Sequence, residues 1–376
     1  RLISETTTHI RNSQQNGINP FDASIQVTIP QEWERVCPKN IGYTAGTETT
    51  AISFKWVESC KNVDKIIAVS NHTKNGFANT VYEGNDPSGA RVEAKCTVPI
   101  DVVNFPAKLV EPEQISFDPE TDFNFLVAAQ WSERKNITMT LQGFLRQFND
   151  NPNVGIIFKT NLAKNCLLDR EACATKIKAM LRRYDKKPMG GKPRQCKVYL
   201  LHGELSDEQM YGLYHHPKIK VLVNLAHGEG FGLPMFEAAQ AGLPIIAPNW
   251  GGQKDYMNVR VKTTRKTGRN KKKKTHSREK FFGTSVDYEI KNIQETAVWK
   301  DVLIPESSWC FPREKGYQAA LKRVYTNYSR ATDEAEALKE HITTNFSLEE
   351  QQDKFVQSVI DTLDSNLSQP TSVMSL

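Results

Sequence analysis

His227-Gly228-Glu229-Gly230-Phe231-Gly232-Leu233-Pro234-Met235-Phe236-Glu237-Ala238-Ala239 is the stretch of this 376-residue chain on which the reading of the fold turns. It follows an apolar, β-branched run over 219–225. Pro234 stands where a helix over 234–241 should begin, a place that tolerates its missing N–H. Strand, glycine turn and helix in that order make one βα unit. Gly228, Gly230 and Gly232 let a backbone come close to a ligand, and the free N–H groups of the helix start suit a phosphate. Glu229 lies in the loop and can accept hydrogen bonds from hydroxyls. Glu237 lies one turn inside the helix, about 5 Å along it. Carboxylates so placed can hold two polyhydroxylated parts of one ligand, such as a sugar and a ribose. The glycines by themselves leave open an ordinary βα turn with a solvated Glu on its helix.

Outward from this unit, β-branched runs alternate with amphipathic stretches, the pattern of a parallel sheet covered by helices. Before it, strands are expected at 123–129, 154–159 and 197–202, with helices at 137–148, 171–184 and 207–215. A last strand follows at 243–247, completing a five-stranded doubly wound domain. The first part of the chain predicts strands at 25–29, 39–44 and 65–69, helices at 51–60 and 72–81, and a short closing strand at 97–99. The domains expected are 1–110, a linker at 111–122, a second domain at 123–315 with an insertion at 254–284, helices at 316–364, and a disordered tail at 365–376. Two doubly wound domains in tandem place a ligand crevice between the carboxyl ends of their strands. The first domain is expected to lack its opening βα element, since no strand and glycine turn precede residue 25.

Composition narrows the classes. Apolar residues make up 39% and charged residues 24%, enough for a core and against wholesale disorder. No apolar run approaches the ~18 residues of a membrane helix, so no membrane partner is expected. The seven cysteines are scattered without a C-x-x-C pair, which argues against a zinc site or a disulfide framework and for a reducing, cytoplasmic setting. The net charge of +6 conceals a concentration of base: residues 260–280 hold eleven basic side chains and one acid, so the rest of the chain is net acidic. This insertion reads as a flexible basic arm leaving the second domain beside the cleft. Its members Arg260, Lys262, Arg265, Lys266, Arg269, Lys271, Lys272, Lys273 and Lys274 would attract and steer a polyanion. A plain solvated loop is the alternative.

Glu229 and Glu237, separated by seven residues within the glycine motif, resemble the two-glutamate signature of retaining GT-B glycosyltransferases of family 4. Residues 241–247 and Asn249-Trp250-Gly251-Gly252 are also similar to that family, as are 127–136 and 41–49. The resemblance implies a GT-B fold, two Rossmann-like domains facing a cleft. It also implies a nucleotide-sugar co-substrate, best matched by a UDP-sugar, with no metal or other cofactor. In its terms Glu229 contacts the donor sugar and Glu237 the ribose, while His227, Gly228, Gly230, Phe231, Gly232 and Leu233 line the donor site. Lys135, helped by Arg134, neutralises the leaving diphosphate. The family commonly carries Arg five residues before the Lys, and Gln130 stands there instead. Glu48 is expected to face the cleft as a catalytic group or to cap the next helix; relatives often have a His nearby, and none lies within 41–49. His202 also falls near a strand end facing the cleft.

The insertion, together with 286–299 and Trp309-Cys310-Phe311-Pro312, resembles glycosyltransferases of tailed bacteriophages, some of which glycosylate hydroxymethylated pyrimidines in DNA. That makes 5-hydroxymethylcytosine in phage DNA the expected acceptor and DNA an expected partner. The alternatives are a glycan or virion-protein acceptor, and a catalytically degenerate GT-B protein that binds nucleic acid.

Overall fold

The computed structural model describes residues 2–85, 87–186, 191–267 and 272–364, with the backbone alone at residue 2 and over 262–276. The expected tail at 365–376 lies outside the described residues. The first part contains α1 (Leu2–Gln15), β1 (Ala23–Val27), β2 (Lys39–Thr44), α2 (Phe54–Ser59), β3 (Lys65–Ala68), α3 (Asn71–Asn79), β4 (Val81–Asn85), β5 (Arg91–Lys95) and β6 (Ile100–Val102). Strands β1, β2, β3 and β6 form a parallel sheet in that order. Helices α2 and α3 start on serine caps: Ser53 accepts from Trp56 N–H and Ser70 from Thr73 N–H. The closing strand lies at Ile100–Val102, three residues beyond its expected place. A polar, threonine-rich helix α1 and the β4–β5 hairpin escape a periodicity reading because neither carries an apolar stripe.

The second part runs β7 (Phe123–Ala128), α4 (Ile137–Phe148), β8 (Val154–Lys159), α5 (Leu167–Asp185), β9 (Lys197–Leu201), α6 (Asp207–Tyr214), β10 (Ile219–Val223), α7 (Leu233–Gln240) and β11 (Ile245–Ala247). It continues with α8 (Lys254–Met257), β12 (Asn258–Thr267), β13 (Lys272–Phe281), β14 (Thr284–Ser285), β15 (Tyr288–Asn292) and β16 (Ser308–Pro312). The chain then closes through α9 (Glu314–Thr326), α10 (Tyr328–Asn345) and α11 (Leu348–Asp364). The parallel sheet has order β14-β11-β10-β7-β8-β9, six strands rather than five, because the two-residue β14 pairs with β11. The sheet is covered on both faces, and β8 and β10 read as nearly continuous buried runs. Because β7 is flanked by β8 on one side and β10 on the other, the chain reverses direction across the sheet between β7 and β10. That reversal opens a crevice at the carboxyl ends of these two strands.

The basic insertion differs from the flexible arm expected. Residues 258–267 and 272–281 pair in antiparallel register as a ladder of ten residue pairs. The β-branched residues Val259, Val261, Thr263 and Thr264 favour strand, and Val259 and Val261 anchor the base of the hairpin on the core. Charge dominates the composition and hides this signal. Arg269 and Lys271 lie outside the described residues, and of Lys262, Arg265, Lys266, Lys272, Lys273 and Lys274 only the backbone is described.

The last three helices divide their loyalties. Helix α9 packs on α4 and α10 on α7, whereas α11 returns to the first sheet. There Phe355 meets Tyr43 edge-on at 6.2 Å, and Val359 packs with Ile41, Ile67 and Val103. The Lys65 ammonium, only 10% exposed, donates to Asp101 at 2.8 Å and to the Ser358 carbonyl at 3.2 Å. Among the described residues no helix is long and apolar enough to cross a membrane.

The linker is docked rather than loose. Glu113 N–H donates to the Glu208 carbonyl at 2.9 Å, and a Cβ on Gly212 of α6 would stand 1.7 Å from the Glu113 carbonyl oxygen. In an open helix Gly→Ala adds about 1 kcal/mol of stability. Here we expect Gly212→Ala to destabilise by roughly 1–3 kcal/mol, read as a lower urea midpoint at unchanged slope; a raised midpoint would contradict the docked linker.

Candidate functional site

The crevice between β7 and β10 is where the sequence motifs meet. The loop after β7 carries Arg134 and Lys135, and the loop after β10 carries Glu229. Asn136, at φ 52°, holds the left-handed turn that starts α4, and its amide donates to the Leu225 carbonyl at 3.3 Å, tying the first loop to the second. His227 N–H donates to the Arg134 carbonyl at 2.8 Å, a second tie.

Glu229 is buried, and each of its oxygens is engaged. Oε1 accepts from Lys135 Nζ at 2.5 Å and from Asn224 Nδ2 at 3.0 Å. Oε2 accepts from Arg134 Nη1 at 3.1 Å. The same guanidinium reaches the other domain, its Nη2 standing 3.1 Å from Glu48 Oε1. Four residues singled out from the sequence, Glu48, Arg134, Lys135 and Glu229, thus form one network spanning the cleft. Burial works to raise the Glu229 carboxyl, but Lys135 and Arg134 outweigh it and hold the group below the ordinary carboxylate range. Glu48 goes the other way: burial raises it, with Arg134 opposing. Gln130 lies outside the network, its amide donating to the Leu162 carbonyl at 2.8 Å.

The glycines face protein backbone. A Cβ on Gly228 would lie 2.0 Å from the Glu48 carbonyl oxygen, and one on Gly230 would lie 2.7 Å from that of Ala45. From the other side, a Cβ on Gly252 would lie 1.9 Å from the Gly230 carbonyl oxygen. The loop is therefore clasped between the first domain and the Gly251-Gly252 turn, and Ser70 Oγ donates to the Gly230 carbonyl at 2.6 Å. Gly232, at φ 89°, caps α7 in a conformation that favours glycine.

The remaining expected donor residues occupy varied surroundings. Phe231 is buried among Phe105, Phe236 and Tyr256, while Leu233 is exposed. Glu237 accepts from the Tyr214 hydroxyl at 3.2 Å, and burial pushes its carboxyl above the usual range. His227 is stacked on Trp309 at 5.1 Å. Its Nδ1–H donates to the Cys310 carbonyl at 2.7 Å, and Nε2 lies 3.3 Å from the Gln294 amide nitrogen. Both ring nitrogens thus have protein partners, and burial lowers the imidazole toward its neutral form. With these partners His227 is held as a structural histidine would be.

His202 donates to Asp169 at 2.9 Å, and with Cys173 these are three groups whose candidate metal-ligand atoms lie within 4.8 Å of one another. The Asp169 carboxylate already accepts the N–H groups of Leu162, Ala163 and Lys164, so the cluster reads as a loop clamp.

Two residues at the site escape a reading of the sequence. Asn224, whose side-chain amide ends on Glu229, is visible there only as a polar interruption of the apolar run 219–226. His72, on the first turn of α3, hydrogen-bonds the Glu48 backbone and meets Trp250 edge-on at 4.8 Å. Burial pushes its imidazole down to about 4, and Nε2 is shielded without a partner.

By sequence the chain matches no family model and no curated protein. By structure it is similar to sucrose-phosphate synthase from Thermosynechococcus elongatus, at 12% identity and TM-score 0.58, over 95% of this chain and 76% of that one. A trehalose-6-phosphate enzyme from E. coli bound with UDP-2-fluoro glucose matches at 9% identity and TM-score 0.52, over 85% and 67%. TarM matches at 12% identity and TM-score 0.53, over 89% and 54%. These similarities establish the fold: α/β, with two Rossmann-like domains in the GT-B arrangement.

Removing one partner from so buried a pair is costly. We expect Glu229→Gln to lose roughly 3–5 kcal/mol at pH 7. Because the folded protein holds Glu229 below its unfolded value, its contribution is present at neutral pH and disappears as pH falls through the depressed folded value. Glu48, raised in the fold, has the opposite dependence but is present in both proteins. Chemical denaturation from pH 7 to pH 3 should therefore show the gap between the two proteins closing in acid; a constant gap would contradict the network.

Proposed function

We propose that the chain is a nucleotide-sugar-dependent, retaining glycosyltransferase that transfers a sugar from a UDP-sugar to 5-hydroxymethylcytosine in DNA. The observation that carries the transferase reading is the Glu48–Arg134–Glu229–Lys135 network at the β7/β10 crevice of a GT-B fold. Its members are the groups such a reaction requires. The bond between the anomeric carbon and the diphosphate oxygen breaks, a bond to the acceptor oxygen forms, and the acceptor proton leaves with the diphosphate. Negative charge develops on the leaving group, and preorganised cations facing it stabilise the transition state. Lys135 and Arg134 are the cations in place. Without donor they neutralise Glu229; on donor binding they exchange that carboxylate for phosphate oxygens, and Glu229 is released to accept from sugar hydroxyls. Glu237 would take the ribose. His72, neutral and with a free acceptor nitrogen beside Glu48, suits a hydroxyl donated on the acceptor side of the cleft.

The acceptor reading rests on the hairpin. It leaves α8, whose Asp255 accepts from the backbone N–H of Asn71 across the cleft at 2.8 Å. In its ladder Arg265 opposes Lys274 and Lys266 opposes Lys273. Like charges directly opposite repel, and a bound polyanion relieves the repulsion. A modified base within a duplex must be extruded or reached in a groove, and a projecting basic ribbon beside the cleft can hold the backbone meanwhile.

The test is transfer of labelled sugar from a panel of nucleotide donors to DNA containing 5-hydroxymethylcytosine, with unmodified DNA alongside. Label on the modified DNA alone is expected, Glu229→Ala should abolish it, and Lys135→Ala should slow it by roughly 10²–10³. Sugar released to water without label on DNA would move the acceptor to a glycan or virion protein. No turnover and no stabilisation by UDP would favour a degenerate nucleic-acid-binding protein.

DNA affinity should fall steeply with salt. Replacing Lys272, Lys273 and Lys274 by Ala should flatten the log–log slope by roughly 1 for each phosphate no longer neutralised. An unchanged slope in filter binding between low and physiological salt would remove the hairpin from the interface.

A further inference from the structure

A second cavity lies between the first sheet, residues 103–106 that follow β6, and α11. It is an open pocket of about 630 Å³, lined chiefly by Val27, Tyr43, Val103, Phe105, Phe355 and Gln351. Val27 ends β1, Tyr43 is the penultimate residue of β2, and Val103 follows β6, so the cavity opens at the carboxyl ends of the first sheet, where α/β folds take ligands. Its walls are aromatic. Tyr43 and Phe355 meet edge-on, and Phe105 backs onto Phe231 of the glycine loop at 5.2 Å.

The polar feature is Gln351. The residue is 3% exposed, yet neither Oε1 nor Nε2 has a hydrogen-bond partner. Among the described residues it is the one carboxamide with both ends shielded and unpaired. Buried polar groups left so are rare and costly. Because neither atom has a partner to lose, turning the amide into the cavity breaks no hydrogen bond. Asn104, also on the wall, is already committed, donating to the Val69 carbonyl at 2.9 Å and to Asp255 at 3.0 Å. Among the described residues no Lys or Arg lines the cavity, and Asp353 does, which disfavours a phosphate or any other anion.

We infer that this cavity binds a neutral planar heterocycle bearing adjacent N–H and C=O groups, a lactam edge such as that of a pyrimidine. The ring lies against the aromatic walls, and the Gln351 amide pairs with the edge through one accepted and one donated hydrogen bond, the two-point pairing that carboxamides make with bases. The site does not depend on the transfer reaction. A free nucleoside and a base extruded from DNA present the same edge, and the test separates them.

The test uses the full chain and titration calorimetry with uridine and with N3-methyluridine, whose edge is blocked. Uridine is expected to bind, and N3-methylation to weaken it at least ~10-fold, the loss of one hydrogen bond to a buried partner. Q351M, which keeps the side chain's length and removes the amide, should weaken uridine by about the same factor while leaving stabilisation by UDP unchanged, which separates this cavity from the donor site. Displacement of uridine by oligothymidylate, lost in Q351M, would identify an extruded base; uridine binding without displacement would identify a free nucleoside. No uridine binding, equal binding of the N3-methyl compound, or indifference to Q351M would overturn the inference. With the donor site filled by saturating UDP, the methylated ligand keeps the test decisive even if Q351M folds poorly. A failure here with transfer intact leaves the proposed function standing, and the reverse holds equally.

Discussion

Everything at the cleft is arranged around a carboxylate that has little access to water. Glu229 would be expensive to bury as a lone anion; Lys135, Arg134 and Asn224 make its burial tolerable by occupying its oxygens. The partners come from two places. Asn224 follows strand β10, the two cations come from the loop of the neighbouring strand, and Arg134 extends the pairing to Glu48 in the facing domain. One buried charge therefore sets the conformation of two loops and the distance between two domains. The glycines follow from the same constraint, because a side chain at Gly228 or Gly230 would push away the backbone that brings Glu48 into reach.

The parts of the fold legible in the sequence are those where burial imposes a period. Helix α4 spans 137–148 and β8 spans 154–159, as their patterns require, since both bury a continuous apolar face. The network residues Glu229, Lys135, Arg134 and Glu48 are visible through motifs, yet their mutual pairing is not, because Lys135 and Glu229 stand 94 residues apart and Glu48 lies in another domain. His227 shows the opposite failure. Its place beside the glycine loop suggests a ligand contact, whereas Trp309, Cys310 and Gln294, all distant in sequence, claim the ring. Strands β12 and β13 are obscured for a local reason: beyond Val259 and Val261, consecutive basic residues such as Arg265-Lys266 and Lys272-Lys273-Lys274 leave no polarity alternation to betray a strand.

The electrostatic division of the chain also has a structural counterpart. Base is gathered on a ribbon that projects from α8, while the acidic remainder forms the body. The same concentration of like charge would be intolerable within either parallel sheet.

The return of α11 to the first sheet gives the molecule a second covalent crossing beside the linker. A pair of domains joined by one strand of chain can swivel freely, but two crossings leave mainly rotation about the line through both. α11 is fastened at its middle, by Phe355 on Tyr43 and, three residues on, by Ser358 with Lys65 and Asp101, so it is fixed to the first domain as a rigid unit. Two crossings thus restrict how the domains can turn against each other more than one would, which favours the alignment of Glu48 over Arg134.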